Sequence, residues 1–141
     1  MITVKKFLPE HYLKIREQRS QLHLGPFMTE AHLQAMAASP WSFTGVWHDR
    51  IVACGGVIPY WEGRGEAWAS IDREVKEAFI GIHRAALKML EECTVRRIEA
   101  SVDRGFKEGH RWVGLLGFEF ETIRKKYGPD GHDYALYARF K

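Results

Sequence analysis

Cysteine is scarce in this chain: Cys54 and Cys93 are the two among 141 residues. Both sit in apolar runs, which excludes a disulfide framework and fits buried thiols acting as small hydrophobes. No Cys/His group has zinc spacing, and no pair of the seven histidines has the HExxH arrangement, so no metal site is expected. No apolar run approaches the roughly 18 residues that a membrane span needs, so no membrane association is expected. An excess of charge is also lacking. The 21 Lys and Arg against 18 Asp and Glu leave a net charge of +3, too mild to argue for a nucleic-acid partner. The basic groups Arg96-Arg97 and Arg124-Lys125-Lys126 fit exposed strand ends. The opening residues, Met1 to Lys6, enter a strand-like pattern directly, so no signal peptide is expected and a cytoplasmic location is. No linker, repeat or low-complexity tract interrupts the chain, which predicts one domain over 1–141.

What is present is bulk for a core. The hydrophobic fraction is 45% and the aromatic fraction 13%, with five Trp and eight Phe, which excludes global disorder. Thr3 to Leu8 alternates weakly and predicts a first strand. Pro9-Glu10 suits a first helical turn; Tyr12, Ile15 and Leu22 supply an apolar face, and Gly25-Pro26 stops the helix. Thr29 is placed to cap a second helix with Leu33, Met36 and Ala37 on one face, ended by Ser39-Pro40. Trp41 to Trp47 alternates, His48-Asp49-Arg50 is a turn, and Ile51 to Tyr60 is more apolar, so the pair predicts a hairpin. Gly55-Gly56 inside it predicts a bulge or a close backbone approach. The aromatics Trp41, Phe43, Trp47, Tyr60, Trp61 and Trp68 suit sheet packing, with Tyr60 and Trp61 also able to line a pocket.

The stretch 66–118 holds the candidate chemistry. Glu66 to Asp72 predicts a strand, and a turn and helix follow from Arg73 to Cys93. In that helix Ile82, Ala86, Met89, Leu90 and Cys93 share a face. Arg96 to Val102 predicts a strand, and Phe106 to Leu116 a short helix closing on Gly117-Phe118. A last hairpin turns at Gly128-Pro129-Asp130-Gly131. The order β-α-α-β-β-β-α-β-α-β-β predicts a mixed α/β (α+β) fold, a mostly antiparallel sheet with helices on both faces. A helix N-terminus leaving a strand can hold phosphates on its free N–H groups, which singles out Phe79, Ile80, Gly81, Ile82, His83 and Arg84.

This order, with the segment His110-Arg111-Trp112-Val113-Gly114-Leu115-Leu116-Gly117-Phe118 and the hairpin ending Tyr134-Ala135-Leu136-Tyr137, resembles the GNAT superfamily of N-acetyltransferases, including short phage-encoded GNAT-like proteins. The resemblance implies acetyl-CoA as cofactor and transfer of its acetyl group to the amine of a small molecule or protein. It implies a pyrophosphate loop of the pattern Gln/Arg-x-x-Gly-x-Gly/Ala, onto which Ala78, Gly81 and His83 fall. Only Gly81 matches. It also implies backbone N–H groups near Ala69, Ser70 and Ile71 that polarise the thioester. The family often has a Tyr acid where this chain has Val113, and an Asn close to Phe106. Asp103 and His110 are then the nearest candidates for an acid, and Glu66, Asp72 and His23 for a base. Asp72 equally suits a helix N-cap. The alternative is a catalytically inactive GNAT-fold protein, such as a phage virion or host-interaction component. A homodimer through the terminal hairpin is a further expectation.

Overall fold

A computed structural model describes residues 1–16 and 24–141. Leu22 and His23 lie outside the described residues. The elements are β1 (Thr3–Lys6), α1 (Pro9–Tyr12), α2 (Glu30–Ala38), β2 (Trp41–Trp47), β3 (Arg50–Trp61), β4 (Arg64–Ile71), α3 (Phe79–Glu92), β5 (Arg97–Asp103), α4 (Lys107–Leu115), β6 (Glu119–Arg124) and β7 (Tyr134–Phe140). A 3-10 turn, Lys76–Ala78, leads into α3. Among the described residues the expected order of elements is found. α1 stops at Tyr12, short of the helix its apolar spacing suggested, although Ile15 beyond it is still buried.

One sheet holds the strands in the order β1-β2-β3-β4-β5-β7-β6. Neighbours are antiparallel except β4 and β5. Alternation along each strand sends successive side chains to opposite faces, and both faces are covered. On one, Ile98, Ala100 and Val102 of β5 pack with Leu90 of α3 and with Val113 and Leu116 of α4 and its end. On the other, Tyr12, Leu33 and Met36 pack around Phe7, Cys54 and Trp68. The two thiols are free and buried.

Local chemistry explains the boundaries. Thr29 caps α2, its hydroxyl accepting the His32 N–H at 3.2 Å. His48 and Asp49 both have positive φ, 49° and 61°, the conformation a two-residue hairpin turn requires. Gly55-Gly56 resolves as a close approach. A Cβ on Gly56 would lie 2.0 Å from the Trp41 carbonyl oxygen, and the register shifts fall elsewhere, at Gly45/Val46 and Pro59/Trp61.

Candidate active site

The site follows from how β4 and β5 pair. Their parallel register covers Arg64↔Arg97, Gly65↔Ile98 and Glu66↔Glu99. Beyond those positions β4 continues to Ile71 and β5 to Asp103 with no pairing between them, and a wedge opens. α3 follows β4 and α4 follows β5, so the helices flank its open end. A cavity of about 730 Å³ takes in the wedge, bordered by Ala67, Ala69 and Ile71 of β4, Ala100 and Val102 of β5, and Phe79 and Trp112 of the helices, and runs on past Ala53 of β3 to Gly45 of β2. The small residues on both strands leave the room.

Glu99, at the vertex, is 4% exposed and faces three guanidinium groups. Arg64 Nε donates at 2.9 Å, Arg97 Nε at 2.8 Å and Arg124 Nη2 at 3.2 Å. The bond from Arg64 outweighs burial and, with that from Arg97, holds the Glu99 pKa at about 2. This anchor fixes the strands where they begin to part.

The residues expected to bind cofactor separate into groups. Ala69, Ile71, Phe79 and Ile82 border the cavity. Ser70 is buried with its Oγ unpartnered; it follows Ala69 and precedes Ile71, so alternation turns its side chain to the other face. Ile80 is 63% exposed and Arg84 is exposed. Gly81 lies one turn inside the helical segment, which opens at Lys76. A Cβ there would meet Ile2 Cγ1 at 2.5 Å, so Gly81 admits a side chain of the N-terminal strand. His83 Nδ1 accepts the Trp112 indole N–H at 3.0 Å. Earlier in the chain, Val75 is right-handed helical and Lys76 has φ 41°. Such a pair turns successive N–H groups toward one side; that of Val75 is taken by the Asp72 carbonyl at 3.2 Å, and Arg73, Glu74, Lys76 and Glu77 are exposed around the turn.

Glu66, Asp72 and His110 do not converge, and none of them borders the cavity. Asp72 is 1% exposed. Its Oδ1 accepts from Arg16 Nη2 at 3.0 Å and from the Glu74 N–H at 3.0 Å, and its Oδ2 from Arg16 Nε at 3.1 Å. Burial pushes the carboxyl up, but the bonds from Arg16 and from backbone N–H groups outweigh it and hold it below the usual range. Asp72 is thus a tie between the chain after α1 and the loop after β4. Glu66 Oε1 accepts the Tyr60 phenol at 2.7 Å on the face opposite α3. His110 Nε2 donates to the Arg104 carbonyl at 3.0 Å, which leaves Nδ1 to accept the Tyr137 phenol at 2.8 Å. His110 therefore pins α4 to β7.

Asp103 stands closer, with His132 and Tyr134, which sequence reasoning missed. Asp103, already a candidate, borders the cavity, as does Tyr134, its partner in the β5–β7 register. His132 Nδ1 lies 2.8 Å from Asp103 Oδ2, and Nε2 lies 3.2 Å from Asp130 Oδ2. The hydrogen bond to Asp103, then the two carboxylate charges, raise its pKa. Burial, then Asp103 and Asp130, push the Tyr134 phenol up to about 12. The signal available in sequence was the polar run Asp130-Gly131-His132-Asp133-Tyr134, which needs the β5–β7 register to meet Asp103. Among the described residues no group of His, Cys, Asp and Glu could hold a metal ion, and no helix is long and apolar enough to cross a membrane.

No family model and no curated protein matches the sequence. Solved structures do match the fold. Ard1 from Thermoplasma volcanium superposes with a TM-score of 0.79 at 14% identity, over 99% of this chain and 97% of that one. The ribosomal-protein-S18-alanine N-acetyltransferase from Escherichia coli gives 0.73 at 15% identity, over 99% and 94%. A GNAT family acetyltransferase from Elizabethkingia anophelis, solved with acetyl-CoA bound, gives 0.71 at 13% identity, over 99% and 98%. Sequence identity at this level speaks to architecture alone, and the architecture is that of the GNAT N-acetyltransferases.

Proposed function

We propose that the protein is an acyl-CoA-dependent N-acyltransferase that moves an acetyl group from acetyl-CoA to the amine of a small molecule or protein. The wedge carries the reading. Among the described residues β4 and β5 are the one parallel pair, and they part after Glu66 and Glu99 over a cavity of about 730 Å³. The fold neighbour with acetyl-CoA bound supports it.

The residues fit that cofactor with its phosphate end moved one turn ahead of Gly81. The Val75–Lys76 turn, Arg73 and Lys76 would hold the phosphates. Glu74 and Glu77 oppose them, and Arg16 offsets part of that charge through its bonds to Asp72 and Glu74. Bound there, acetyl-CoA supplies a thioester carbonyl as electrophile. The walls exclude water and align the reactants, which alone removes much of the barrier. The amine nitrogen must lose a proton as the new C–N bond forms and the C–S bond breaks, and the departing thiolate must gain one. Of the three carboxylates that border the cavity, Glu92 and Glu108 are exposed and Asp103 is half-buried, so Asp103 would hold the acceptor ammonium. His132 behind it, 53% exposed on its side chain, hydrogen-bonds Asp103 Oδ2 and favours its ionised form. The Tyr134 phenol, protonated at neutral pH, is a hydrogen-bond donor at the same border. Asp103→Asn should lower kcat on the order of 100-fold while leaving acetyl-CoA affinity within two-fold. An unchanged kcat would remove Asp103 from this role.

One observation favours a non-catalytic GNAT-fold binding protein: buried Val113 stands where the family resemblance implies a Tyr acid. The readings separate by thermal denaturation. Acetyl-CoA at 100 times its dissociation constant should add about 2.7 kcal/mol of stability. No shift at millimolar cofactor contradicts the transferase.

A further inference from the structure

The two helices that flank the wedge are tied to each other at two levels. At the base, Arg139 of β7 donates from Nε to the Leu116 carbonyl at 3.1 Å and from Nη1 to the Leu90 carbonyl at 3.3 Å. One side chain thus joins the late turns of α3 to the end of α4, near the Arg64–Glu66 and Arg97–Glu99 pairing. At the open end the helices are joined again. Trp112 of α4 donates its indole N–H to His83 Nδ1 of α3 at 3.0 Å. Phe79 completes the cluster, edge-on to Trp112 at 5.6 Å between centroids and stacked on His83 at 6.4 Å.

This bridge spans the gap between the two helices that border the cavity. Trp112 and Phe79 border the cavity, and so do Lys88 and Glu92 of α3 and Arg111 of α4. Those three are exposed, so on its helical side the cavity reaches solvent between α3 and α4. A ligand passing there meets Lys88 and Arg111, which suit phosphate, with the Glu92 carboxylate opposing them, and then the indole. The bond is also of a kind that yields. An indole nitrogen only donates, so His83 must present an unprotonated Nδ1. A neutral hydrogen bond in partly wet surroundings contributes a modest net amount, whereas Arg139 grips two helix-end carbonyls with a charged group.

We propose that the Trp112–His83 bridge is a latch, displaced when a coenzyme A thioester enters between α3 and α4, with Arg139 as the fixed end about which the helices part. The inference rests on the transferase reading for its ligand. It assigns His83 and Trp112 to cofactor admission, and neither is needed for the chemistry.

Coenzyme A itself is the probe, with the full chain. Trp112→Phe keeps the ring packing, loses the donor and identifies the Trp112 indole N–H resonance in the wild-type spectrum. His83→Leu removes the acceptor. Coenzyme A should shift the Trp112 resonance and speed its exchange with solvent. Each variant should associate at least five-fold faster and bind about five-fold tighter, the factor one neutral hydrogen bond represents. Thermal melts establish that both variants fold. If coenzyme A binds wild type and variants with the same rate and affinity and the indole resonance stays put, the latch is wrong and the transferase reading stands. If the variants bind more weakly, His83 and Trp112 are contacts, which also overturns the latch. If neither wild type nor variants bind at millimolar coenzyme A, the cofactor reading fails and the latch falls with it. Binding to the variants alone supports a latch held shut.

Discussion

Arg16 and Asp72 form a two-point ion pair, Nη2 to Oδ1 at 3.0 Å and Nε to Oδ2 at 3.1 Å, across 56 residues of sequence. The carboxylate end is buried, with 2% of its side chain exposed, against 40% for the guanidinium. Removing Arg16 would strand a buried charge. Arg16→Ala should therefore lower stability, by less than for a fully buried pair because solvent reaches one partner. The depressed Asp72 pKa makes its contribution full above the ordinary value of 3.8 and lost as pH falls through the folded value. Urea midpoints between pH 6 and 3 should show that dependence in wild type and less of it in Asp72→Asn. An equal dependence in both would remove the tie.

Glu99 with its three arginines gives a second acid-labile contact. Its folded pKa of about 2 against 4.5 means full stabilisation above 4.5, declining as pH falls toward 2. Glu99→Gln leaves Arg64, Arg97 and Arg124 facing one another around a neutral amide. We expect a loss of about 3 kcal/mol by chemical denaturation at pH 7. A loss under 1 kcal/mol would mean that Glu121, already bound to Arg97, takes over.

Two histidines should give opposite pH responses. His11 is 6% exposed; its Nδ1 accepts the Leu8 N–H at 3.1 Å and meets Thr44 Oγ1 at 2.8 Å. Burial, helped by Lys5 and Lys14 against Glu10, lowers its pKa, so it stabilises fully above 6.5 and less as pH falls through the folded value. His132 has a raised pKa, so its contribution is complete below 6.5 and fades as pH rises through the folded value. Comparing urea midpoints at pH 5 and 8, His11→Gln should lessen the loss at pH 5 and His132→Gln the loss at pH 8. Matching responses would contradict the assigned environments.

The glycines divide by what surrounds them. Gly114 is exposed on α4 with nothing within 4 Å of a built Cβ, so Gly114→Ala should stabilise by about 0.8 kcal/mol. Gly56→Ala must push Cβ into the Trp41 carbonyl and separate β2 from β3. We expect a loss of about 2 kcal/mol, read from the same denaturation curves.

The architecture was legible because its signals are local. Alternation in Trp41 to Trp47, the capping Thr29 and the i, i+4, i+8 apolar row of Ile82, Ala86 and Leu90 each act within one element. The site was less legible because its determinants join distant residues. Gly81 reads as a phosphate glycine until Ile2 is seen against it. Asp72 reads as a base until Arg16 is found on it. The turn at Val75–Lys76 proposed for phosphate carries no glycine, and its left-handed Lys76 leaves no mark in sequence. The wedge depends on where β4 and β5 cease to pair, which no periodicity encodes.

The central claim is that an acetyl-CoA site lies in the wedge between β4 and β5. Titrating acetyl-CoA into protein carrying ¹³C-methyl Ala and Ile tests it most directly. The account predicts saturable shifts at Ala67, Ala69, Ala100 and Ile82 together with backbone shifts at 75–77. No shift at millimolar acetyl-CoA, or shifts confined to the Tyr60–Glu66 face, would contradict it.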